Sequence, residues 1–364
     1  MFKALLISDK GPHTSFGRVT ASFKRALANL GWEVQTCILS SDTYFPEGRP
    51  ESEYIIHSPS YQKGFFIYKS GIKKIIMQIK PDWILIIRPE LGFLVPIIKH
   101  VNRDSVVTAM IHDTFAETLY PYSLKFWIIN NLFIKSIVKS DGFVFNSEWT
   151  KKMALNHWKH LSGEMHVVGC VLDTQDFFPP EISKIDLRTK WNLKTSGRIY
   201  LNTSLDEPRK NIVTFFKLAK EYPDDLFIRV GQFSKWMRKF IKVHFISNVI
   251  HYYRLPLDKL RELYQLSDAF LYPSLLEGFG VPAFESMACG TPVISSGTSA
   301  MKENLEGFCS LIKNPKSIYE WKIVLDSKLP TEAATLQNSR KLLDRFSPES
   351  FEKKLKLHLH DLGF

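Results

Sequence analysis

Cysteine is sparse and unpatterned: Cys37, Cys170, Cys289 and Cys309 are scattered over 364 residues with no C-x-x-C. Buried thiols in a reducing, cytoplasmic setting are therefore expected, rather than a disulfide-stapled secreted domain. The chain also contains no D-x-D triplet, no H-E-x-x-H pair and no P-loop. Standard metal sites and Walker-type nucleotide sites are thereby without support, and no metal or cofactor is expected. Long apolar runs are missing too. Trp83 to Ile87, and Leu91 to Ile98 interrupted by Pro96, fall well short of the roughly 18 residues a spanning helix needs. The opening Met-Phe-Lys-Ala-Leu-Leu-Ile-Ser-Asp lacks the apolar core and small-residue cleavage site of a signal peptide, and reads as a first strand. Low-complexity tracts and internal repeats are absent as well.

What is present is a globular composition, 45% hydrophobic, long enough for two domains. A net charge of +11 attracts anions, and by itself does not choose among nucleic acid, anionic lipid and nucleoside diphosphate. Residues 235–242 interleave Lys and Arg with aromatics, a composition suited to nucleic acid. No helix-turn-helix, RRM or zinc-finger pattern accompanies them, and no nucleic-acid partner is expected. Residues 63–80 read as a basic amphipathic helix. Its apolar stripe could lie on an anionic membrane surface, giving peripheral membrane contact, or could pack on its own sheet.

The strongest positional constraint lies between Ser274 and Ile294. Ala269 to Tyr272 and Pro292 to Ile294 are short apolar runs of strand type, and a short helix fits between them. Pro282 suits a first helical position and Gly290 the residue just past the end. Gly278 and Gly280 let the backbone approach a ligand closely, and the helix start would face an anion. Glu277 in the loop and Glu285 in the helix would repel phosphate, so neutral hydroxyls of a sugar or ribose suit them better. Two other readings exist: a turn whose glycines serve only the chain path, and a displaced G-x-G-x-x-A dinucleotide pattern at residues 278–283.

This stretch resembles the E-G-F-G-x-P-x-x-E-x-M-A-x-G-x-P-V-I signature of retaining glycosyltransferases of family 4, which have the GT-B fold. The resemblance implies that Glu277 contacts the donor sugar. It further implies that the backbone of Gly278, Phe279 and Gly280 contacts sugar and diphosphate, and that Glu285 holds the ribose hydroxyls. Earlier in the chain, Glu207-Pro208-Arg209-Lys210-Asn211 resembles an E-P-R-K-N variant in the same family, which implies that Arg209 and Lys210 bind the diphosphate. Leu205 stands where the commoner form has its Arg. Chemically the pair is apt, Arg with paired donors and Lys as a point charge; two solvated surface cations are the alternative.

His112-Asp113 with Tyr120-Pro121 resembles the H-D…Y-P element of a mannosyltransferase-like subset, which implies a His beside the donor sugar. A core-bonded or capping His is the other reading. Gly17 before Arg18 follows the first strand, where α/β folds bind ligands, and the resemblance suggests a contact near donor phosphate or acceptor; it could equally be a small residue at a helix start. The stretch from Ser41 to Pro59 reads as loop.

Taken together, the expectation is an α/β GT-B protein with two Rossmann-like domains facing across a cleft. The boundaries expected are 1–172 for the acceptor side, 173–345 for the nucleotide-sugar side, and 346–364 for a helix crossing back. The function implied is metal-independent, retaining transfer of a hexose, mannose favoured and GDP favoured over UDP, to a hydroxyl of a glycan or lipid-linked acceptor. A non-catalytic nucleotide-sugar-binding subunit and a GT-B phosphorylase or epimerase are the alternatives, since fold does not fix function.

Overall fold

Apolar strand segments alternate with amphipathic helices, and every strand pairing among the described residues is parallel. The computed structural model describes all residues except 10–14, 41–52, 59–63, 115–122, 125–126, 128–129 and 173–175. Tyr120 and Pro121 thus lie outside the described residues. The chain forms two units, Met1–Val171 with Ser347–Phe364, and Leu172–Phe346.

The first unit runs β1 (Lys3–Ser8), α1 (Ser15–Asn29), β2 (Glu33–Ser40), β3 (Glu53–His57), α2 (Gly64–Ile79), β4 (Trp83–Ile86), α3 (Val95–Val101), β5 (Val106–Ile111), β6 (Gly142–Phe145), α4 (Glu148–His157) and β7 (Glu164–Val167). Its seven strands are ordered β3-β2-β1-β4-β5-β6-β7. Strand order therefore reverses between β1 and β4, and in such sheets ligands bind at the carboxyl ends flanking the reversal. All four β4 residues are buried, as expected of a parallel sheet covered on both faces. β3 corrects the loop expected over 41–59. Five residues, Glu-Tyr-Ile-Ile-His, pair in parallel with β2, and the surrounding polar composition had hidden so short a strand. The α2 stripe Tyr68, Ile72, Ile75, Ile76 and Ile79 is buried against Leu5, Ile7, Cys37 and Leu39, so it packs on its own sheet.

The second unit continues with α5 (Lys184–Lys190), β8 (Ile199–Thr203), α6 (Ile212–Glu221), β9 (Leu226–Val230), α7 (Lys235–Val243), β10 (Val249–Tyr252), α8 (Leu257–Leu266) and β11 (Ala269–Tyr272). It closes with α9 (Val281–Ala288), β12 (Val293–Ser296), α10 (Ser299–Leu305), β13 (Ser310–Ile312), α11 (Ile318–Asp326) and α12 (Glu332–Arg345). The strand order is β10-β9-β8-β11-β12-β13. Phe215, Phe216, Phe227, Leu271 and Trp321 form part of its core. The reversal here lies between β8 and β11, so the loops after those two strands emerge side by side.

The last helix, α13 (Pro348–Asp361), returns to the first unit. The Ser347 hydroxyl caps it by accepting from Ser350 N at 3.1 Å, which satisfies an otherwise unpaired helix-start donor. Phe351 meets Phe23 edge to face at 4.9 Å, and Leu355 and Leu359 join Ala4, Leu6 and Trp83 in one core. Buried in the same layer, His358 reaches Thr108 Oγ1 through Nε2 at 3.1 Å. Desolvation, with His166 nearby, pushes its pKa down to about 3.

Candidate functional site

The expected strand, loop and helix are all present, as β11, residues 273–280 and α9. Gly280 is the N-cap residue at φ 99, in the left-handed region that glycine enters without a Cβ penalty. A Cβ there would come within 3.3 Å of Met301 Cγ. Phe279 departs from a purely backbone role: its ring is 4% exposed, stacks on Phe284 at 5.2 Å and meets Phe346 edge to face at 5.0 Å. Its carbonyl accepts from Asn304 Nδ2 at 3.0 Å. The aromatic ring thus fixes the loop that its neighbours Gly278 and Gly280 shape.

Glu277, Arg209 and Lys210 are brought together. Lys210 Nζ lies 2.7 Å from Glu277 Oε1, and Arg209 Nη1 lies 3.1 Å from Oε2. Arg209 also pairs through Nε with Glu207 at 2.5 Å. A turn of 3₁₀ helix, Pro208–Lys210, follows β8 and presents both cations. Asn211 behind it adopts the left-handed φ of 50, its side chain donating to the carbonyls of Pro273 and Pro315 at 3.2 and 3.0 Å. The Arg209 carbonyl accepts from Leu275 N at 2.6 Å, which ties the two loops together. Burial alone would raise the Glu277 pKa, but Lys210 and Arg209 outweigh it and hold the carboxyl below its ordinary value. It is therefore an anion at neutral pH. These cations are not solvated surface charges.

Glu285 sits on α9 with 9% exposure, and its Oε2 accepts from the Tyr264 hydroxyl at 3.1 Å. Thr203 Oγ1 is 2.9 Å from the same hydroxyl. Burial, and then Glu285, raise the Tyr264 pKa well above its usual value, so the phenol stays protonated and can donate. Several supporting residues carried no signal in the sequence. The Ser299 hydroxyl accepts from Glu277 N at 2.9 Å, and Lys210 Nζ lies 6.0 Å from the Tyr272 ring centre. Arg229, fully buried, donates to the carbonyls of Val230 and Ser204 and so braces the loop ahead of Glu207. A Cβ on Gly231 would lie 2.2 Å from that Ser204 oxygen.

In the first unit, His112 follows β5 and is 8% exposed. Its Nε2 donates to the Ile87 carbonyl at 2.8 Å, and Phe16 meets the ring edge on at 4.8 Å. Desolvation, helped by nearby Arg88, lowers its pKa to about 4. The neutral ring with a proton on Nε2 keeps Nδ1 as an acceptor. Phe16, Arg88, Glu90, Asp113 and Trp158 line a pocket with it. Arg88 is held between Asp9 and Glu90 at 2.7 and 2.6 Å. Gly17 is buried in the first turn of α1, which already begins at Ser15. Among the described residues, one group has metal-ligating geometry, Glu164, His166 and Asp361; it belongs to the β7 and α13 edge and includes none of the residues above. No helix among the described residues is long and apolar enough to cross a membrane.

Two family models match consecutive parts of the chain: "Glycosyltransferase Family 4" over residues 16–176 and "Glycosyl transferases group 1" over residues 183–321. With the two parallel α/β units and the returning helix, they give a chain of GT-B fold that is related to those two glycosyltransferase families. The chain is similar to the O-antigen chain mannosyltransferase RfbU of Salmonella typhimurium, 29% identical over 152 residues. That match covers 40% of this chain and 43% of the relative, so the chain spans less than half the relative's length. In fold it is similar to sucrose-phosphate synthase from Thermosynechococcus elongatus, with TM-score 0.79, 17% identity and coverage of 100% and 99% of the two chains. Anabaena HepE in complex with UDP-glucose superimposes with TM-score 0.77 at 14% identity, covering 99% of this chain and 100% of that one.

Proposed function

We propose that this enzyme transfers a hexose from a nucleoside diphosphate sugar to a hydroxyl of a glycan or lipid-linked acceptor, with retention at the anomeric carbon and without a metal ion. The observation that carries the reading is the buried cluster of Glu277 with Lys210 and Arg209 beside the Gly280 turn. As the glycosidic bond breaks, charge develops on the leaving diphosphate and positive charge on the sugar. Lys210, Arg209 and backbone N–H groups would stabilise the first, and anionic Glu277 the second. Glu285 would accept from the ribose hydroxyls, and the Gly278 to Gly280 backbone would lie against sugar and diphosphate.

In this reading the second unit holds the donor and the first the acceptor. His112 and Gly17 keep the parts that the family resemblance gives them, at the donor sugar and near donor phosphate or acceptor. GDP-mannose is the favoured donor, supported by Glu207 to Asn211 and His112-Asp113, and by similarity to a relative named as a mannosyltransferase. HepE was crystallised with UDP-glucose, so UDP is the competing nucleotide. Peripheral contact with an anionic membrane belongs to the same reading; the inner stripe of α2 is committed to the core, while Phe66, Ile67 and Met77 stay exposed on its outer side together with Lys73 and Lys74.

Product analysis with a panel of GDP-, UDP- and ADP-sugars, with and without a glycan acceptor, tests this directly. Acceptor-dependent product with an unchanged anomeric configuration is expected. Conversion without acceptor would indicate an epimerase, dependence on inorganic phosphate a phosphorylase, and tight nucleotide binding without product a binding subunit.

A further inference from the structure

We propose that the outward face of α7, with the turn that follows it, is a docking surface for an anionic lipid bilayer. Between Asp225 and Asp258 the sequence carries no carboxylate side chain and six cations, Arg229, Lys235, Arg238, Lys239, Lys242 and Arg254. Arg229 is buried, while Lys235, Arg238, Lys239 and Lys242 are exposed on α7. Met237 is buried and Phe240 and Ile241 pack on the core, which orients the helix. At 100° per residue, Arg238, Lys242, Lys235 and Lys239 then succeed one another around the outward arc, and Val243 and Trp236 follow at one edge. Trp236 is 44% and Val243 58% exposed; the indole N–H reaches Asp206 at 3.3 Å while much of the ring remains in solvent.

Phe245 is the second, independent observation. It follows the α7 C-cap at φ 53, a left-handed position that helix ends usually give to glycine or asparagine. It is also 92% exposed. Packing therefore does not explain a phenyl ring there, and the backbone disfavours it. A ring standing out from a lysine-rich helix matches what an interface of phosphate headgroups over hydrocarbon rewards. Lysines reach the headgroups, and aromatic and aliphatic side chains enter the boundary beneath them. Single-stranded nucleic acid would use the same charge and would stack a base on an exposed ring, but it has no use for the exposed aliphatic Val243, which the acyl boundary of a bilayer takes. The inference rests on the peripheral membrane contact of the proposed function and gives it a place on α7; vesicle binding is read without a transfer assay, so it can fail while the catalytic reading stands.

Sedimentation of the full chain with vesicles of phosphatidylcholine and phosphatidylglycerol, against phosphatidylcholine alone, is the test. Binding is expected only to the anionic vesicles, weakening with salt. Lys235→Glu with Lys239→Glu and Lys242→Glu should reduce partitioning by at least about a hundredfold, taking about fivefold per lost cation. Phe245→Gly should reduce it by about tenfold while leaving the thermal midpoint unchanged or higher, because glycine relieves the left-handed position. The proposal is overturned by failure of the wild type to bind anionic vesicles, or by unchanged partitioning in either variant. Tighter binding of a single-stranded oligonucleotide than of the vesicles would also overturn it.

Discussion

Lys210 Nζ and Glu277 Oε1 are 2.7 Å apart, with side chains only 10% and 7% exposed, although 67 residues separate them in the chain. Lys210 is the largest of the influences that keep the Glu277 carboxylate charged out of water. Removing one partner should therefore strand the other: Lys210→Met or Glu277→Leu alone is expected to cost about 3–5 kcal/mol in urea unfolding. The double variant should regain most of that stability and none of the transfer activity. Equal stability of all four proteins would show that the pair contributes nothing to folding.

Glu277→Gln keeps the shape and removes the anion. Turnover should fall by on the order of 10²- to 10³-fold, with nucleoside diphosphate affinity changed much less. A variant with wild-type turnover would take Glu277 out of the chemistry.

Glu285→Ala should act the other way, on affinity. Loss of charge-assisted hydrogen bonds worth about 1.5–3 kcal/mol predicts roughly tenfold to more than a hundredfold weaker binding of the nucleoside diphosphate by calorimetry. An unchanged affinity would exclude the ribose assignment.

Transfer rates in EDTA should equal those in Mg²⁺ or Mn²⁺, because Arg209 and Lys210 are proposed to take the place of a cation at the diphosphate. Activity that disappears in EDTA and returns with either ion would move the charge stabilisation to a metal.

Acid should loosen the first unit through two histidines. His112 and His358 have folded pKa values lowered to about 4 and about 3 from 6.5, so the unfolded chain takes up their protons first. Their contribution is complete above pH 6.5 and is lost as pH falls toward those folded values. Between pH 7.5 and 5.0 each should remove about 2 kcal/mol, read by native-state hydrogen exchange of the β5 amides. His358→Leu should show about half the wild-type dependence over that interval. A variant with the full dependence would show that the buried ring is not responsible.

The cradle was legible in the sequence because its determinants are contiguous. Strand, glycine turn and a helix with Pro282 in its first turn, one place after the expected first position, occupy one stretch, so Glu277, Gly280 and Glu285 could be read from local spacing. The amphipathic helix at residues 63–80 was equally visible, but its partner was not: the same apolar stripe serves a membrane or a sheet, and only burial against Leu5, Ile7, Cys37 and Leu39 decides. β3 was missed because five residues within a long polar stretch become a strand only when β2 offers its edge. Phe279 had been assigned through its backbone, and its ring contacts with Phe284 and Phe346 depend on a residue 67 positions away.

By itself, then, the sequence determined the alternating α/β architecture, the glycine-turn cradle and the chemical type of each candidate group. Tertiary structure decided which of those groups meet. Lys210 follows β8 and Glu277 follows β11, strands distant in sequence but adjacent in the sheet. Parallel pairing sets their carboxyl ends side by side and brings the loops that follow within hydrogen-bond reach. The charge state of Glu277 comes from that meeting, since a buried carboxylate stays ionised only with cations beside it. No spacing along the chain encodes a contact made by the crossing of strands.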